Sequence, residues 1–174
     1  MSGYRFDRLK ILLVDDNPHM RRLVSTILQA FGVTKIQDAS DAKQAWVKLR
    51  DFSPDIVVLD WMMGGTSGIE LTKMIRTSPT SPNPFVPVIM LTGHTHVDRV
   101  REARDAGVNE FLAKPISVNA MLSRLVAVVD HPRPFVRTKS YFGPSRRRRD
   151  GHEYQGPERR SEHDGAHAGV DAVA

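Results

Sequence analysis

Five polar residues in this sequence stand at the end of a short apolar run or directly after one. They are Asp15, Asp16, Asp60, Thr92 and Lys114. Carboxylates that lie together repel one another unless a hard cation binds between them, and Mg²⁺ favours carboxylate ligands. A carboxylate beside such a cation can attack a phosphoryl group, and a hydroxyl and an ammonium can hold the phosphoryl oxygens. If the fold brings these five residues together, they predict phosphoryl chemistry on an aspartate.

The apolar runs themselves are typical of strands buried in a parallel sheet. They cover residues 10–14, 55–60, 88–92 and 110–114, and a more polar run at 33–40 is typical of a sheet edge. An amphipathic helical pattern follows each run. This alternation predicts an α/β, flavodoxin-like, doubly wound sheet of five parallel strands in the order 2-1-3-4-5, with helices on both faces. All the strand-end groups then converge at one edge of the sheet.

Other residues cap the helices that follow the strands, which leaves the strand-end carboxylates free. Asn17 precedes a proline at the start of the first helix, and Ser67 with Glu70 forms a capping box for the third. A capping role is the simplest structural alternative for Asp60, and this box disfavours it. In the fourth helix, the spacing predicts that Val97, Val100 and Ala103 face the core.

Composition narrows the function classes. The chain of 174 residues has no cysteine, which excludes disulfides, thiolate metal sites and thiol nucleophiles. It has no apolar run long enough to span a bilayer and no signal-peptide pattern, so we expect a cytoplasmic protein without membrane insertion. The net charge of +5 suggests nucleic acid, but residues 131–174 hold nine basic and six acidic residues, so the rest is nearly neutral.

The motifs around the five residues carry a family resemblance. In chain order they are Val14-Asp-Asp16, Met20-Arg-Arg22, Val58-Leu-Asp60-Trp-Met-Met63, Ser67-Gly-Ile-Glu-Leu71, Leu91-Thr92-Gly93, Ala106-Gly107 and Phe111-x-x-Lys114-Pro115. In order and spacing they resemble the receiver domain of two-component response regulators, and the chemotaxis-type single-domain receivers are the most similar. The resemblance covers about residues 8–130.

The resemblance implies a role for each site residue. It makes Asp60 the phosphoacceptor of a histidine kinase. It implies that Mg²⁺ is bound by Asp15, Asp16, Asp60 and the Met62 backbone carbonyl. Thr92 and Lys114 would bind the phosphoryl group, the Lys114–Pro115 bond would be cis, and Thr92 with Phe111 would form an aromatic switch. A downstream protein target would bind the face made by the fourth helix, fifth strand and fifth helix.

Two departures from the family pattern affect the loops at the site. Gly64, followed by Gly65, stands where the family usually has a proline, which loosens the loop without removing a site group. Met62 and His94 occupy the positions that tune loss of the phosphoryl group in the family. A Met side chain cannot hydrogen-bond an attacking water. His94 could do so, although a solvated loop residue is the favoured interpretation.

Residues 131–174 are predicted to be a disordered Arg-rich tail, since prolines and glycines interrupt them and apolar residues are few. Within the tail, Tyr-x-Gly-Pro-x-Arg-Arg occurs twice, thirteen residues apart. The repeated residues are Tyr141, Arg146 and Arg147, then Tyr154, Arg159 and Arg160. Aromatic and guanidinium groups suit stacking and contacts with carboxylate or phosphate. We favour a protein partner over nucleic acid, and expect a chain ending at Asp130 to keep its melting temperature.

The sequence therefore predicts a single-domain response regulator that is phosphorylated on Asp60 and signals by phosphorylation-dependent protein binding. It predicts no enzymatic activity beyond gain and loss of its own phosphoryl group. Two alternatives remain open. The chain could be a phosphoryl shuttle or sink that serves a histidine phosphotransfer protein, or a nucleic-acid-binding regulator that acts through the basic tail.

Overall fold

The computed structural model describes residues 6–93 and 97–146, together with the backbone of residues 171–173. The strands are β1 (Lys10–Val14), β2 (Lys35–Ala39), β3 (Ile56–Asp60), β4 (Val88–Thr92), β5 (Glu110–Ala113), β6 (Phe135–Arg137), β7 (Phe142–Pro144) and β8 (Asp171–Val173). The helices are α1 (Pro18–Ala30), α2 (Ala42–Asp51), α3 (Gly68–Thr77), α4 (Val97–Ala106) and α5 (Val118–Asp130).

The first five strands form one parallel sheet in the order β2-β1-β3-β4-β5, as the sequence predicts. The polar strand β2 lies at one edge, where only its last residue is buried. The register places Val14 beside Leu59 and Asp60 beside Leu91, so β1, β3 and β4 end at the same level. This alignment brings the groups at their carboxyl ends to one edge of the sheet.

Alternate residues of the strands supply two apolar layers, one on each face of the sheet. The layer that includes Leu12, Leu59 and Met90 packs under α2, α3 and α4, and the layer that includes Ile11, Val58 and Leu91 packs under α1 and α5. Strands buried on both faces leave little freedom in register, because a slip by one residue would exchange the two layers. The core therefore fixes the position of the site residues along the strand direction.

The inward face of α4 differs from the prediction. Val97 is 65% exposed and Val100 is 37% exposed, whereas Ala103 and Ala106 are buried. The helix therefore meets the core with its C-terminal half, through two small side chains that allow a close approach. A spacing of three and four residues identifies a helix, but it did not identify which part of this short, charged helix lies against the core.

The beginning of the predicted tail is ordered, which corrects the prediction of disorder for residues 131–146. β6 and β7 form an antiparallel hairpin in which Phe135 opposes Pro144 and Arg137 opposes Phe142. Thr138 N donates a hydrogen bond to Tyr141 O across the turn (2.8 Å). Phe135 and Phe142 are buried beside Phe85, with ring centroids 5.2–5.6 Å apart. We call residues 133–146 the C-terminal hairpin.

The hairpin is ordered because the surface on which it packs supplies an aromatic ring and a guanidinium as partners for its phenylalanines. Phe85, from the proline-rich connector between α3 and β4, is the third ring of the cluster. Arg76 of α3 lies with its guanidinium 5.0 Å from the Phe135 ring centroid. Apolar content counted within the tail alone misses these partners, since burial depends on both surfaces that meet.

Residues 147–170 lie outside the described residues, and with them Arg147 and the second repeat unit, Tyr154, Arg159 and Arg160. The backbone of β8 pairs antiparallel with β6, with Val136 opposite Ala172. Among the helices of the described segments, none has the length and apolar character needed to cross a membrane.

Candidate phosphoacceptor site

Three carboxylates meet at the carboxyl ends of β1 and β3. Asp15 and Asp60 are buried and Asp16 is exposed. One oxygen from each lies within 4.8 Å of the others. Asp15 Oδ1 accepts a hydrogen bond from Asn17 N (2.8 Å), the residue that also caps α1. The sequence predicted this convergence, because the parallel order fixes which strand ends are neighbours.

Lys114, directly after β5, lies beside two of the carboxylates. Its Nζ lies 2.8 Å from Asp60 Oδ1 and 3.7 Å from Asp15 Oδ2. The Lys114–Pro115 peptide bond is cis, as the resemblance implied. Lys114 N donates to Thr92 O (2.8 Å), which ties the lysine backbone to the end of β4. Thr92, the last residue of β4, is buried.

The electrostatics of the cluster favour a cation. Burial raises the pKa of Asp15; the Asn17 hydrogen bond lowers it, Asp60 raises it, Lys114 lowers it and Asp16 raises it. Asp15 Oδ2 is a buried oxygen without a hydrogen-bond partner. The Lys114 ammonium contacts two of the three carboxylates, Asp15 and Asp60, and a buried oxygen without a donor is a ligand that a hard divalent cation takes. The three aspartates therefore fit such a metal.

The glycine loop after Asp60 holds Asp16, which the sequence did not predict. Gly64 N donates to Asp16 Oδ2 (3.0 Å). A proline at this position would have no N–H to donate. The glycine thus does more than loosen the loop, because its amide orients an exposed metal-ligand candidate. A donor from the backbone leaves no signature in residue type, which is why sequence analysis missed it.

We expect Gly64→Pro to weaken Mg²⁺ binding by roughly three- to tenfold, from the loss of one hydrogen bond of about 0.5–1.5 kcal/mol. Gly64→Ala is the matched control. It keeps the N–H, and its Cβ would meet only Asp16 Oδ2 at 3.8 Å, an ordinary contact. The measurement is a Mg²⁺ titration followed by Trp61 fluorescence or calorimetry. Equal affinities for the two variants would contradict a role for this amide.

The remaining predicted site residues are placed as follows. Phe111 lies on β5, half-buried against the core layer beneath α4. The side chain of Met62 is exposed, and the role of its carbonyl as a metal ligand stays a prediction. His94 lies outside the described residues. Of the tail residues, Tyr141 and Arg146 belong to the C-terminal hairpin, with Arg146 Nη2 2.9 Å from Asp105 Oδ1.

Comparison with known proteins agrees with this geometry. The response regulator receiver domain family matches residues 11–126. Chemotaxis protein CheY-3 of Vibrio cholerae is 37% identical over 117 residues, which cover 67% of this chain and 88% of that protein. The chain belongs to the response regulator receiver family. It is therefore a receiver domain of the two-component type.

Other relatives show where the similarity ends. The phosphate regulon transcriptional regulatory protein PhoB of Pseudomonas aeruginosa is 32% identical over 124 residues, covering 71% of this chain and 53% of that protein. This receiver thus spans about half the length of that relative. The solved structure of the Vibrio cholerae chemotaxis protein CheY4 gives a TM-score of 0.64 at 31% identity and covers 69% of this chain and 98% of that one.

Receiver domains take phosphate from histidine kinases and bind downstream targets, which assigns the general role of this fold. The matched region ends at residue 126, before the C-terminal hairpin begins. The hairpin therefore lies outside the part of the chain that the family describes.

Proposed function

We propose that this receiver is phosphorylated on Asp60 by a histidine kinase and acts as a phosphorylation-controlled binding switch. The observation that carries the proposal is the ammonium of Lys114, 2.8 Å from Asp60 Oδ1 inside a cluster of three carboxylates. The proposed chemistry is confined to the chain itself: Asp60 gains a phosphoryl group and loses it to water.

The phosphoryl transfer follows from the placement of these groups. A carboxylate oxygen of Asp60 attacks phosphorus, the bond from phosphorus to the kinase imidazole nitrogen breaks, and that nitrogen recovers its lone pair. Asp15, Asp16 and Asp60 would hold Mg²⁺, which supplies positive charge against the phosphoryl oxygens. Lys114 and Thr92 donate hydrogen bonds to those oxygens as fixed donors from β5 and β4.

Exposed apolar side chains support protein binding as the output. Val97 and Val100 of α4 and Val118 of α5 are all exposed. These two helices, with β5, form the face that the family resemblance assigns to a downstream target. Apolar groups on a charged surface favour a protein partner over a nucleic acid. The first repeat unit agrees with this choice, since Arg146 is engaged by Asp105 of the receiver itself.

The test is retention of cellular proteins on the immobilised full chain, with and without a small phosphodonor and Mg²⁺. A partner retained only with both reagents supports the switch. Rapid transfer of the label to a histidine phosphotransfer domain would favour the phosphoryl shuttle instead. Salt-sensitive retention of DNA or RNA, equal in both states, would favour a nucleic-acid regulator acting through the tail.

The lifetime of the phosphoryl group depends on the exposed residue Met62. A thioether cannot orient an attacking water through a strong hydrogen bond, whereas an amide can. We expect Met62→Asn to speed first-order decay of the phosphoprotein by roughly two- to tenfold, the effect of one hydrogen bond. Leu23→Asn, at an exposed apolar position on α1, is the control. If the Met62→Asn phosphoprotein decays at the wild-type rate or more slowly, residue 62 does not control access of the attacking water.

A further inference from the structure

Helix α4 has little apolar area to hold it in place. Ala103 and Ala106 are its only buried residues, both in its C-terminal half. Elements with few buried contacts move at low cost in free energy. The position of α4 therefore depends strongly on the specific contacts at its two ends.

At its N-terminal end, α4 contacts the residue next to the phosphoacceptor. The Arg99 guanidinium lies 5.6 Å from the centroid of the Trp61 ring, which is within the range of a cation–π interaction. Trp61 is buried, its N donates to Leu91 O (2.9 Å), and its carbonyl accepts from Gly68 N (3.0 Å). Trp61, which directly follows Asp60, is thus held by β4 and by the first residue of α3.

The close packing of α3 against Asp60 strengthens this connection. A Cβ on Gly68 would lie 2.2 Å from the Asp60 carbonyl oxygen, so only glycine fits. The backbone at Asp60 and Trp61 has no room to absorb a change at the carboxylate locally. A displacement there is passed to the Trp61 ring and to Arg99.

At its C-terminal end, α4 contacts the C-terminal hairpin. Arg146 Nη2 lies 2.9 Å from Asp105 Oδ1, and the same guanidinium stacks 4.7 Å from the Tyr141 ring centroid. Gly143 lies against Gly107, directly after the helix, where an added Cβ would come within 3.0 Å of the Gly107 Cα. The ion pair is at hydrogen-bonding distance and the two glycines leave no room for a side chain between them, so a shift of α4 disturbs this end of the helix.

We propose that α4 couples the phosphoacceptor to the C-terminal hairpin, so that phosphorylation of Asp60 loosens the hairpin from Asp105 and Gly107. The inference rests on the proposed function and adds a second, tail-borne output to it. The loosened hairpin presents Tyr141 and Arg146, an aromatic ring with a guanidinium, to an acidic surface of a partner protein. The coupling is reciprocal: a partner that takes Arg146 from Asp105 favours the phosphorylated form.

Hydrogen exchange of the hairpin amides in the full chain tests the coupling. Thr138 N donates to Tyr141 O and Ser145 N donates to Pro134 O, both at 2.8 Å, so these amides report hairpin order. A small phosphodonor with Mg²⁺ is added, and incorporated label is measured in the same sample. We expect exchange at both amides to quicken by roughly fivefold or more, the lower end of typical coupling.

The outcomes separate the two proposals. Label incorporation without any change in hairpin exchange overturns the coupling and leaves phosphorylation of Asp60 standing. Absence of label overturns the proposed function, and the coupling falls with it. Faster exchange in the labelled protein supports both.

Substitutions on α4 test the route. Arg99→Met removes the guanidinium and keeps the stem, and we expect normal labelling with no quickening of hairpin exchange. Arg101→Met is the matched control, since Arg101 is exposed on the same helix and lies 4.0 Å from Asp98 of that helix. A wild-type response in Arg99→Met would overturn transmission through Trp61.

Reciprocity gives an independent test at the other end of α4. Asp105→Asn weakens the bond to Arg146, so hairpin exchange quickens without phosphodonor. By linkage, a beryllium fluoride complex with Mg²⁺, which mimics the phosphoryl group, then binds more tightly than it binds the wild-type chain. Asp98→Asn, an exposed carboxylate elsewhere on α4, is the control. Unchanged affinity for the complex in an Asp105→Asn chain with a loosened hairpin would overturn the coupling.

Discussion

Replacing Asp60 with Asn should abolish phosphoryl incorporation from a small phosphodonor, because an amide oxygen is not a competent nucleophile toward phosphorus. The wild-type chain should take up label with Mg²⁺ present and lose that uptake when the metal is chelated. The measurement is label retained after gel filtration. The expected loss is to background, since no other carboxylate lies 2.8 Å from the Lys114 ammonium among the described residues.

Asp51→Asn is the control for this substitution. Asp51 is an exposed carboxylate at the end of α2, paired with Arg50 (2.8 Å), and its loss should leave labelling unchanged. A melting curve of Asp60→Asn should show a folded protein, because the substitution removes one of three mutually repelling charges. Undiminished labelling of Asp60→Asn would contradict the assignment of Asp60 as the phosphoacceptor.

Ending the chain at Asp130 should lower its melting temperature by roughly 5–10 °C. The hairpin buries Phe135 and Phe142 beside Phe85, and loss of about 2–3 kcal/mol, a typical cost of disrupting a buried cluster, shifts the melting temperature of a domain of this size by that amount. The shortened chain also exposes Phe85 and the guanidinium of Arg76. The sequence alone gave the opposite expectation of an unchanged melting temperature.

A point variant separates docking from chain length. Phe142→Ala in the full chain should lower the melting temperature nearly as much as the truncation, because it removes one ring of the Phe85–Phe135–Phe142 cluster. Lys139→Ala, at an exposed position of the hairpin turn, should have no effect. Melting temperatures of the truncated chain and Phe142→Ala equal to that of the full chain would show that the hairpin adds nothing to stability.

The sheet and the site were predictable because they rest on short-range patterns. Apolar runs that end in Asp15, Asp60 and Thr92 give the strands, and the parallel order then determines which groups meet. The cap by Asn17 and the capping box of Ser67 and Glu70 were also correct, since capping is local in sequence. Site residues that sit at the ends of buried strands are thus accessible to sequence reasoning.

The missed features depend on contacts between segments far apart in the chain. The hydrogen bond from Gly64 to Asp16 comes from a backbone amide 48 residues away. The ordered hairpin depends on Phe85 and Arg76, and no local sequence pattern indicates that these two residues pack against the hairpin. The exposure of Val97 and Val100 depends on how a short helix sits on the sheet. Tertiary packing decides each of these, and local pattern does not.

The side chain of Arg76 gives the C-terminal hairpin a place in the order of assembly. Arg76 is 3% exposed, and its guanidinium donates to Gly107 O, Pro84 O and Asn109 Oδ1, all neutral acceptors. Burial lowers its pKa to about 9. The hairpin ring of Phe135 covers this cation. During synthesis the sheet and α5 leave the ribosome before the hairpin does. The receiver can therefore close with Arg76 still hydrated, and docking of the hairpin then removes that water.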